Sequence, residues 1–198
     1  MREASRTVDR EELEKLDETA LIGLFQRERS DPVFREIYRR YSPRVFGYLK
    51  RFACRAPGTV VEELTDDVFI SVFRNIGGIA NIAGFRSWLY RISHNVCVNH
   101  FKKNREFGLE PVAAERIPDA RIDIEADHIR DRTKESIQGE IGKFDPVTRE
   151  IVVLKYYQDL SHGEISGILG IPVRKIKYLL KKAVVRLYQN LKKEDLAP

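Results

Sequence analysis

Residues 161–193 have the sequence SHGEISGILGIPVRKIKYLLKKAVVRLYQNLKK, which predicts two helices joined by a tight turn. Ser161 followed by Glu164 forms the capping-box pattern with which many helices begin. Gly170 is able to take the left-handed conformation that ends a helix, and Pro172 is tolerated in the first turn of the next helix. Apolar residues then recur at the spacing of one buried helical stripe, at Val173, Ile176, Leu180, Val184, Leu187 and Leu191.

The second helix of this pair is strongly basic. Between Pro172 and Lys193 the chain has eight basic residues and no acidic residue. Because the formal net charge of the whole chain is only +5, the rest of the chain is net acidic and the positive charge is localised. A short helix, a glycine turn and a cationic amphipathic helix suit insertion into the major groove of DNA. The alternative is an ordinary helical hairpin with a solvated basic face, but turn and charge together favour DNA binding.

Composition narrows the class of protein further. A chain of 198 residues with 42% hydrophobic and 33% charged residues can form one large or two small charge-rich globular domains. It contains no apolar run of the roughly 18 residues needed to cross a bilayer, and its charged N-terminus lacks the apolar segment of a secretory signal. Cys54 and Cys97 form neither a disulfide framework nor a CxxC motif. We therefore expect a cytoplasmic protein without membrane insertion.

Helical periodicity extends over most of the remaining chain, and no segment alternates as a strand does. A serine followed by a proline at residues 42–43 predicts that one helix ends there and another begins. Residues 76–84 contain glycines and no charge, which predicts a loop between helices over about 61–75 and 85–104. Prolines and scattered charges over residues 107 to about 122 indicate a flexible linker. We therefore expect an all-α protein of two small helical domains, the C-terminal one a helix-turn-helix.

Two segments in the middle of the chain carry further motifs. Residues 63–74 have the sequence ELTDDVFISVFR, and residues 85–95 have the sequence FRSWLYRISHN. The first resembles the polymerase-clamp-binding helix of the extracytoplasmic-function (ECF) sigma factors, and the second resembles their promoter-melting region. The tail over residues 144–183 is similar to the part of these proteins that binds the −35 promoter element. The resemblance covers about residues 17–193, with both domains in the order usual for the family.

This resemblance implies a domain organisation and a function. Residues 1–16 would be an N-terminal extension, residues 17–106 sigma region 2, residues 107–127 the linker and residues 128–198 sigma region 4. The protein would direct core RNA polymerase to specific promoters and open the DNA at the −10 element, without being an enzyme and without a cofactor. Its expected partners are RNA polymerase core enzyme, promoter DNA and an anti-sigma factor.

The resemblance also assigns candidate site residues to three surfaces. The side chains expected at the −35 DNA are Arg174, Lys175, Lys177, Tyr178, Lys181 and Lys182. Those expected to act in −10 recognition and melting are Asn81, Trp88, Asn95, Asn99, Lys102 and Lys103. Those expected to bind polymerase are Asp66, Asp67, Phe69, Phe73 and Arg74. Within the last helix, lysines beyond its second turn are better placed for phosphates than for bases.

Several of these side chains have a competing role in the core of the first domain. Trp88 and Phe85 share an apolar helical face, so packing explains each of them at least as well as contact with unstacked bases does. Phe69 and Phe73 also share a face, and we expect one of the two to be buried. Asn81 is the single polar side chain of the 76–84 loop, where the family usually has more, so the captured base is not assigned.

Other classes of protein fit the sequence less well. A stand-alone helix-turn-helix regulator, with residues 17–106 as a dimerisation or sensing domain, is the main alternative, and a protein that sequesters another sigma factor is disfavoured by the basic last helix. His94, Cys97 and His100 lie on one predicted helix, where three ligands span too wide an arc for a metal ion without a fourth from elsewhere. No metal site is therefore expected, and no motif of a catalytic site is present.

Overall fold

The computed structural model describes residues 10–54, 56–106 and 136–194. In these ranges all regular secondary structure is helical, which confirms the predicted all-α class of two helical domains. The residues assigned to the predicted linker, 107–127, lie outside the described ranges.

The first domain consists of five helices joined by short turns. Their bounds are α1 Arg10–Lys15, α2 Glu18–Glu28, α3 Asp31–Phe52, α4 Gly58–Asn75 and α5 Phe85–Glu106. Helix α3 lies at the centre and contacts each of the other four. The core contains buried side chains from every helix, among them Leu13, Phe25, Ile37, Val68 and Leu89. Helix α1, which lies within the predicted N-terminal extension, packs on α3 through Leu13, and the Arg40 guanidinium of α3 donates to the Leu13 carbonyl at 2.7 Å.

The predicted helix break at residues 42–43 is wrong, because α3 continues through Pro43 without interruption. A proline inside a helix removes one backbone hydrogen bond and costs about 3 kcal/mol. Here the buried stripe continues on both sides of the proline, through Tyr41 before it and Val45, Tyr48 and Leu49 after it. Pro43 itself is exposed. Packing of this stripe against the neighbouring helices offsets the local cost, which the dipeptide pattern alone does not reveal.

The second domain consists of helical residues 136–142, here called α6, followed by three further helices. These are α7 Pro146–Tyr156, α8 His162–Leu169 and α9 Val173–Glu194. The capping box that begins α8 is present, since the Glu164 amide donates to Ser161 Oγ at 3.2 Å and the Ser161 amide donates to Glu164 Oε2 at 2.8 Å. Gly170 ends α8 in the left-handed conformation, with φ of 68°. The local signals of the predicted helix-turn-helix are thus confirmed.

One position of the predicted apolar stripe on α9 is wrong. Ile176 and Leu180 are buried as expected, but Val184 is 44% exposed and the small side chain of Ala183 is buried in its place. A helix has 3.6 residues per turn, so a stripe spaced by four residues drifts around the helix axis. Because the inward position shifts from 184 to 183, Val184 lies on the outer surface.

The two domains lie against each other, with α3 in contact with α7 and α5 in contact with α8. At the centre of this contact Glu150 of α7 is buried and accepts two hydrogen bonds from the first domain. The Tyr48 hydroxyl donates to Glu150 Oε1 at 2.5 Å, and His94 Nδ1 lies 2.7 Å from the same oxygen. Burial and the nearby Glu150 carboxylate raise the pKa of Tyr48 well above its ordinary value. Burial, with a smaller contribution from Glu150, also raises the pKa of the Cys97 thiol to about 12.

Further hydrogen bonds surround this centre, and most are donated by the first domain. Tyr90 donates through its hydroxyl to the Gln158 side chain, while Arg86 donates to the Gln158 carbonyl at 2.5 Å. Arg91 donates to the Gly167 carbonyl at 2.6 Å. In the opposite direction, Arg149 of α7 donates to the carbonyl of Phe52 at 3.2 Å. The contact between the domains is therefore rich in polar groups.

Candidate nucleic-acid interface

The six side chains predicted at the −35 DNA are all exposed on α9. They lie on the side of the helix away from Ile176 and Leu180, which anchor α9 to the rest of the second domain. Arg186 is different from these cations, because its guanidinium lies over the Phe144 ring at 5.2 Å from the ring centroid. The first two turns of α9 thus present a continuous cationic surface together with the exposed ring of Tyr178.

The predicted loop over residues 76–84 connects α4 to α5 through two short 3-10 turns, Ile76–Gly78 and Ile82–Gly84. Ile76 is buried and anchors the beginning of the loop, whereas Asn81 is exposed between the two turns. The Asn81 side chain makes no capping hydrogen bond to the turn that follows it. Its amide therefore remains able to donate to and accept from a base edge.

The predicted aromatic side chains of the melting region differ in burial. Phe85 is fully buried and contacts Tyr41 edge-on, with ring centroids 5.1 Å apart, so it belongs to the core. Trp88 is half-buried and packs against Phe85 at 5.9 Å. The polar members of the set, Asn95, Asn99, Lys102 and Lys103, are exposed along α5.

The predicted polymerase-binding residues lie on α4, and four of the five are exposed. Asp66, Asp67 and Arg74 are at the surface, and the Asp66 carboxylate accepts a hydrogen bond from the Tyr38 hydroxyl at 3.2 Å. Phe69 is only 3% exposed, whereas Phe73 is 40% exposed, so one of the pair is in the core as expected. Ile70, on the same outer face of α4, is an exposed large apolar residue that the sequence reading did not single out.

A shallow cleft between α4 and α5 brings two of the predicted sets together. It is lined by Asp67 and Arg74 from α4 and by Asn99 and Lys103 from α5. The residues predicted for polymerase binding and for −10 contacts are therefore neighbours on one surface of the first domain. The −35 residues lie on a different helix in the other domain.

The sequence reading missed the residues that join the domains and those that hold the 76–84 loop. Tyr48, Glu150 and Gln158 pair across the domain contact, and Gln26 and Arg29 of the first domain contact the loop. His94, considered above as a metal ligand, is hydrogen-bonded to Glu150. Among the described residues, no group of His, Cys, Asp and Glu side chains is arranged to hold a metal ion. In the same part of the chain no helix is both long and apolar enough to span a membrane.

Comparison with known proteins identifies the family. Residues 37–107 match the model for sigma-70 region 2, and residues 134–187 match the model for sigma-70 region 4. The chain is 24% identical over 180 residues to the ECF RNA polymerase sigma factor RpoE of Cereibacter sphaeroides, covering 90% of this chain and 97% of the relative. The chain belongs to the extracytoplasmic-function sigma factors. This sigma factor is also 23% identical to RNA polymerase sigma factor YlaC of Bacillus subtilis, over 80% of its own length and 91% of that protein.

Two solved structures share the fold of this sigma factor. The structure of CnrH in complex with the cytosolic domain of CnrY covers 89% of this chain and 97% of its own chain, with a TM-score of 0.63 and 18% identity. The sigma factor RpoE of Bartonella quintana, in complex with the anti-sigma factor NepR, covers 80% of this chain and 96% of its own, with a TM-score of 0.65 and 17% identity.

Proposed function

We propose that this sigma factor divides promoter recognition between its two domains, with α9 binding the −35 element and the first domain opening the −10 element. The family membership establishes the general activity, which is to direct core RNA polymerase to specific promoters. The observation that carries the residue-level proposal is the exposure of all six basic and aromatic −35 candidates on one free face of α9. An exposed basic helix face of this kind supports the proposed insertion into the major groove.

Strand opening is assigned to the 76–84 loop and to α5. The exposed Asn81 amide can pair with a flipped base, and Asn95, Asn99, Lys102 and Lys103 supply polar and cationic contacts along the adjacent helix. Opening requires that unstacked bases be held away from the duplex, and the exposed loop offers a place for one of them.

Polymerase binding is assigned to the outer face of α4. Phe73 and Ile70 supply exposed apolar area, while Asp66, Asp67 and Arg74 supply charges around it. An apolar centre with a charged rim is the usual composition of a protein interface. The same face is suited to an anti-sigma factor, which we propose as a second partner because RpoE of Bartonella quintana is known in complex with one. As an initiation factor that leaves RNA synthesis to polymerase, the protein would act in the cytoplasm.

The two domains are in contact in the structure, so they have to move apart if they are to bind two distant promoter elements at once. The −35 and −10 elements lie about 25 base pairs apart, or roughly 80 Å along B-DNA. A compact chain of this length has a radius of gyration of only about 16 Å. The domains must therefore separate before both elements can be bound at once, and Arg86 and Arg91 of α5 then lose their carbonyl partners in the second domain.

In vitro transcription with purified core polymerase tests this proposal against the alternative of a stand-alone regulator. A sigma factor binds the core enzyme and supports transcription from a restricted set of promoters. Sequence-specific binding to duplex DNA with no polymerase association would instead support the regulator. In the experiments with core polymerase, Ile70→Ala should weaken polymerase association. The same variant, measured without polymerase, should bind −35 DNA as the wild type does.

A further inference from the structure

The 76–84 loop is held by one side chain from a distant part of the chain. Gln26, in the last turns of α2, is partly buried, and its Nε2 donates to the carbonyl of Ile76 and to the carbonyl of Ile79, each at 2.9 Å. The two acceptors are the ends of the first 3-10 turn, which is itself closed by the Ile79 amide donating to the Ile76 carbonyl at 3.3 Å. A single amide group thus fixes the turn that leads directly to Asn81.

The residue that follows α2 lies against the same turn. Arg29 ends α2 with φ of 50°, and its guanidinium lies directly over Gly77. A Cβ atom at position 77 would be only 1.8 Å from Arg29 Nη2, so the end of the Arg29 side chain occupies the space beside this glycine and would have to move aside for any other residue. The guanidinium also lies 5.9 Å from the centroid of the Phe25 ring. The loop is therefore packed against α2 both through its carbonyls and through the face of its first glycine.

The far side of Asn81 is also next to α2. A Cβ atom at Gly23 would lie 3.7 Å from Ile82 Cδ1, in ordinary van der Waals contact, so the Ile82 side chain lies next to α2. Ile79 lies two residues before the exposed Asn81, and Ile82 directly follows it. Both isoleucine side chains are half-buried against the core. Asn81 is thus the exposed tip of a segment whose two flanks rest on the same helix.

We infer that Gln26 is a positioning residue for base capture, which holds the loop in the conformation that presents the Asn81 amide to a flipped base. This inference rests on the proposed role of the loop in strand opening. A loop of glycine, alanine and isoleucine has large conformational freedom. If the loop is not ordered before the base arrives, the conformational entropy lost on ordering it weakens base capture. Two hydrogen bonds to its backbone remove much of that cost.

A matched pair of variants separates the hydrogen bonds from the bulk of the side chain. Gln26→Glu keeps the size of the side chain but replaces the donor group by a carboxylate, which only accepts hydrogen bonds and faces two carbonyl oxygens. Gln26→Lys supplies donors on a side chain long enough to reach the same carbonyls. With core polymerase and a duplex promoter, we expect Gln26→Glu to reduce permanganate reactivity of unpaired thymines by about tenfold, the loss associated with one or two net hydrogen bonds. Gln26→Lys should remain within about threefold of the wild type.

Three further measurements make the result specific to loop positioning. On a pre-melted template both variants should be as active as the wild type, and their binding to core polymerase should be unchanged. Hydrogen exchange of the loop amides should accelerate in Gln26→Glu and not in Gln26→Lys. Equal behaviour of the two variants on the duplex promoter, or an equal loss on duplex and pre-melted templates, would overturn the inference. The inference would also be overturned if Gln26→Glu failed to fold, because Gln26 would then be needed for the stability of the first domain.

Asn81→Ala, measured in the same assays, separates failure of this inference from failure of the proposed function. If Asn81→Ala opens the duplex normally, the loop does not capture a base, and the role proposed for Gln26 falls with it. If Asn81→Ala is impaired on duplex DNA while Gln26→Glu is not, base capture stands and only the positioning role of Gln26 is refuted.

Discussion

Replacing Tyr48 by phenylalanine removes one hydroxyl group from the contact between the domains and leaves the aromatic ring in place. The ring packs against Phe52 and Tyr90, with centroids 5.8 Å and 5.4 Å away, so the variant preserves the core of the first domain. The lost hydrogen bond, to the buried Glu150 carboxylate, is of the charged type that contributes about 1.5–3 kcal/mol. Because its two partners belong to different domains, the bond exists only while the domains are in contact. Tyr48→Phe should therefore shift the equilibrium towards separated domains by about 10- to 150-fold.

Single-molecule energy transfer between dyes on the two domains measures this equilibrium directly. Thr59 of α4 and Gln189 of α9 are exposed positions outside the predicted binding surfaces and suit cysteine labelling, with Cys54 replaced. The wild-type protein should show mainly the high-efficiency population, and Tyr48→Phe should raise the low-efficiency population. A larger radius of gyration in X-ray scattering should accompany this change.

Tyr41→Phe provides the matched control. The Tyr41 hydroxyl also donates to a carboxylate, that of Glu18 at 2.6 Å, but both residues lie within the first domain. This variant should lower the free energy of unfolding of the first domain without changing the separation of the domains. If Tyr48→Phe and Tyr41→Phe gave the same energy-transfer distribution as the wild type, the hydrogen bonds at Glu150 would not determine the closed arrangement, and the reasoning would be refuted.

Three further predictions concern DNA binding and stability. Lys181→Ala should weaken DNA binding equally for all promoter sequences and reduce the slope of log affinity against log salt concentration by about one. Arg174→Ala should instead reduce the discrimination between −35 sequence variants by about 1–3 kcal/mol. Identical binding profiles of the two variants in a promoter-variant series would contradict this orientation of α9. Gly170→Ala should lower the free energy of unfolding by about 1 kcal/mol in urea titrations, because alanine is strained at φ of 68°. A hydrogen bond from Lys143 holds the pKa of Glu140 below its ordinary value of 4.5. The ionised Glu140 carboxylate therefore stabilises the folded state above that pH, and this stabilisation is lost as the pH falls through the lowered pKa. Glu140→Gln should flatten the dependence of the free energy of unfolding on acid pH.

Local signals account for the parts of the fold that the sequence predicts well. The capping box at Ser161 and Glu164, the left-handed Gly170 and the exposed cations of α9 each depend on residues within a few positions of one another. The wrong positions are those where tertiary packing decides. Pro43 stays inside a helix because buried residues on both sides hold it there, and the inward position of α9 moves to Ala183.

The residues that join the domains are harder to predict, because their partners are distant in the sequence. Tyr48 and Glu150 are 102 positions apart, and a glutamate between an arginine and an isoleucine has the appearance of a surface charge. One signal was nevertheless available. The run from Ile151 to Leu154 is apolar at four consecutive positions, and all four side chains are buried. A helix that is apolar all round needs neighbours on every side, so α7 required a second packing partner besides the helix-turn-helix, and the first domain supplies it.

Because polar groups form the centre of the contact between the domains, the two domains can separate without leaving these groups unpaired. When the domains separate, Tyr48, His94 and Glu150 exchange their mutual hydrogen bonds for bonds to water, and the Arg86 and Arg91 guanidinium groups become available to other acceptors. A hydrogen bond across the contact can be exchanged for one to water when the domains separate, so this polar centre costs less free energy to open than an apolar contact of equal area. It can therefore hold the free protein closed and still be replaced by contacts with polymerase and DNA. An interface of buried leucines in place of this polar centre would hold the two domains together more tightly, and it would oppose the separation that we propose for binding two promoter elements at once.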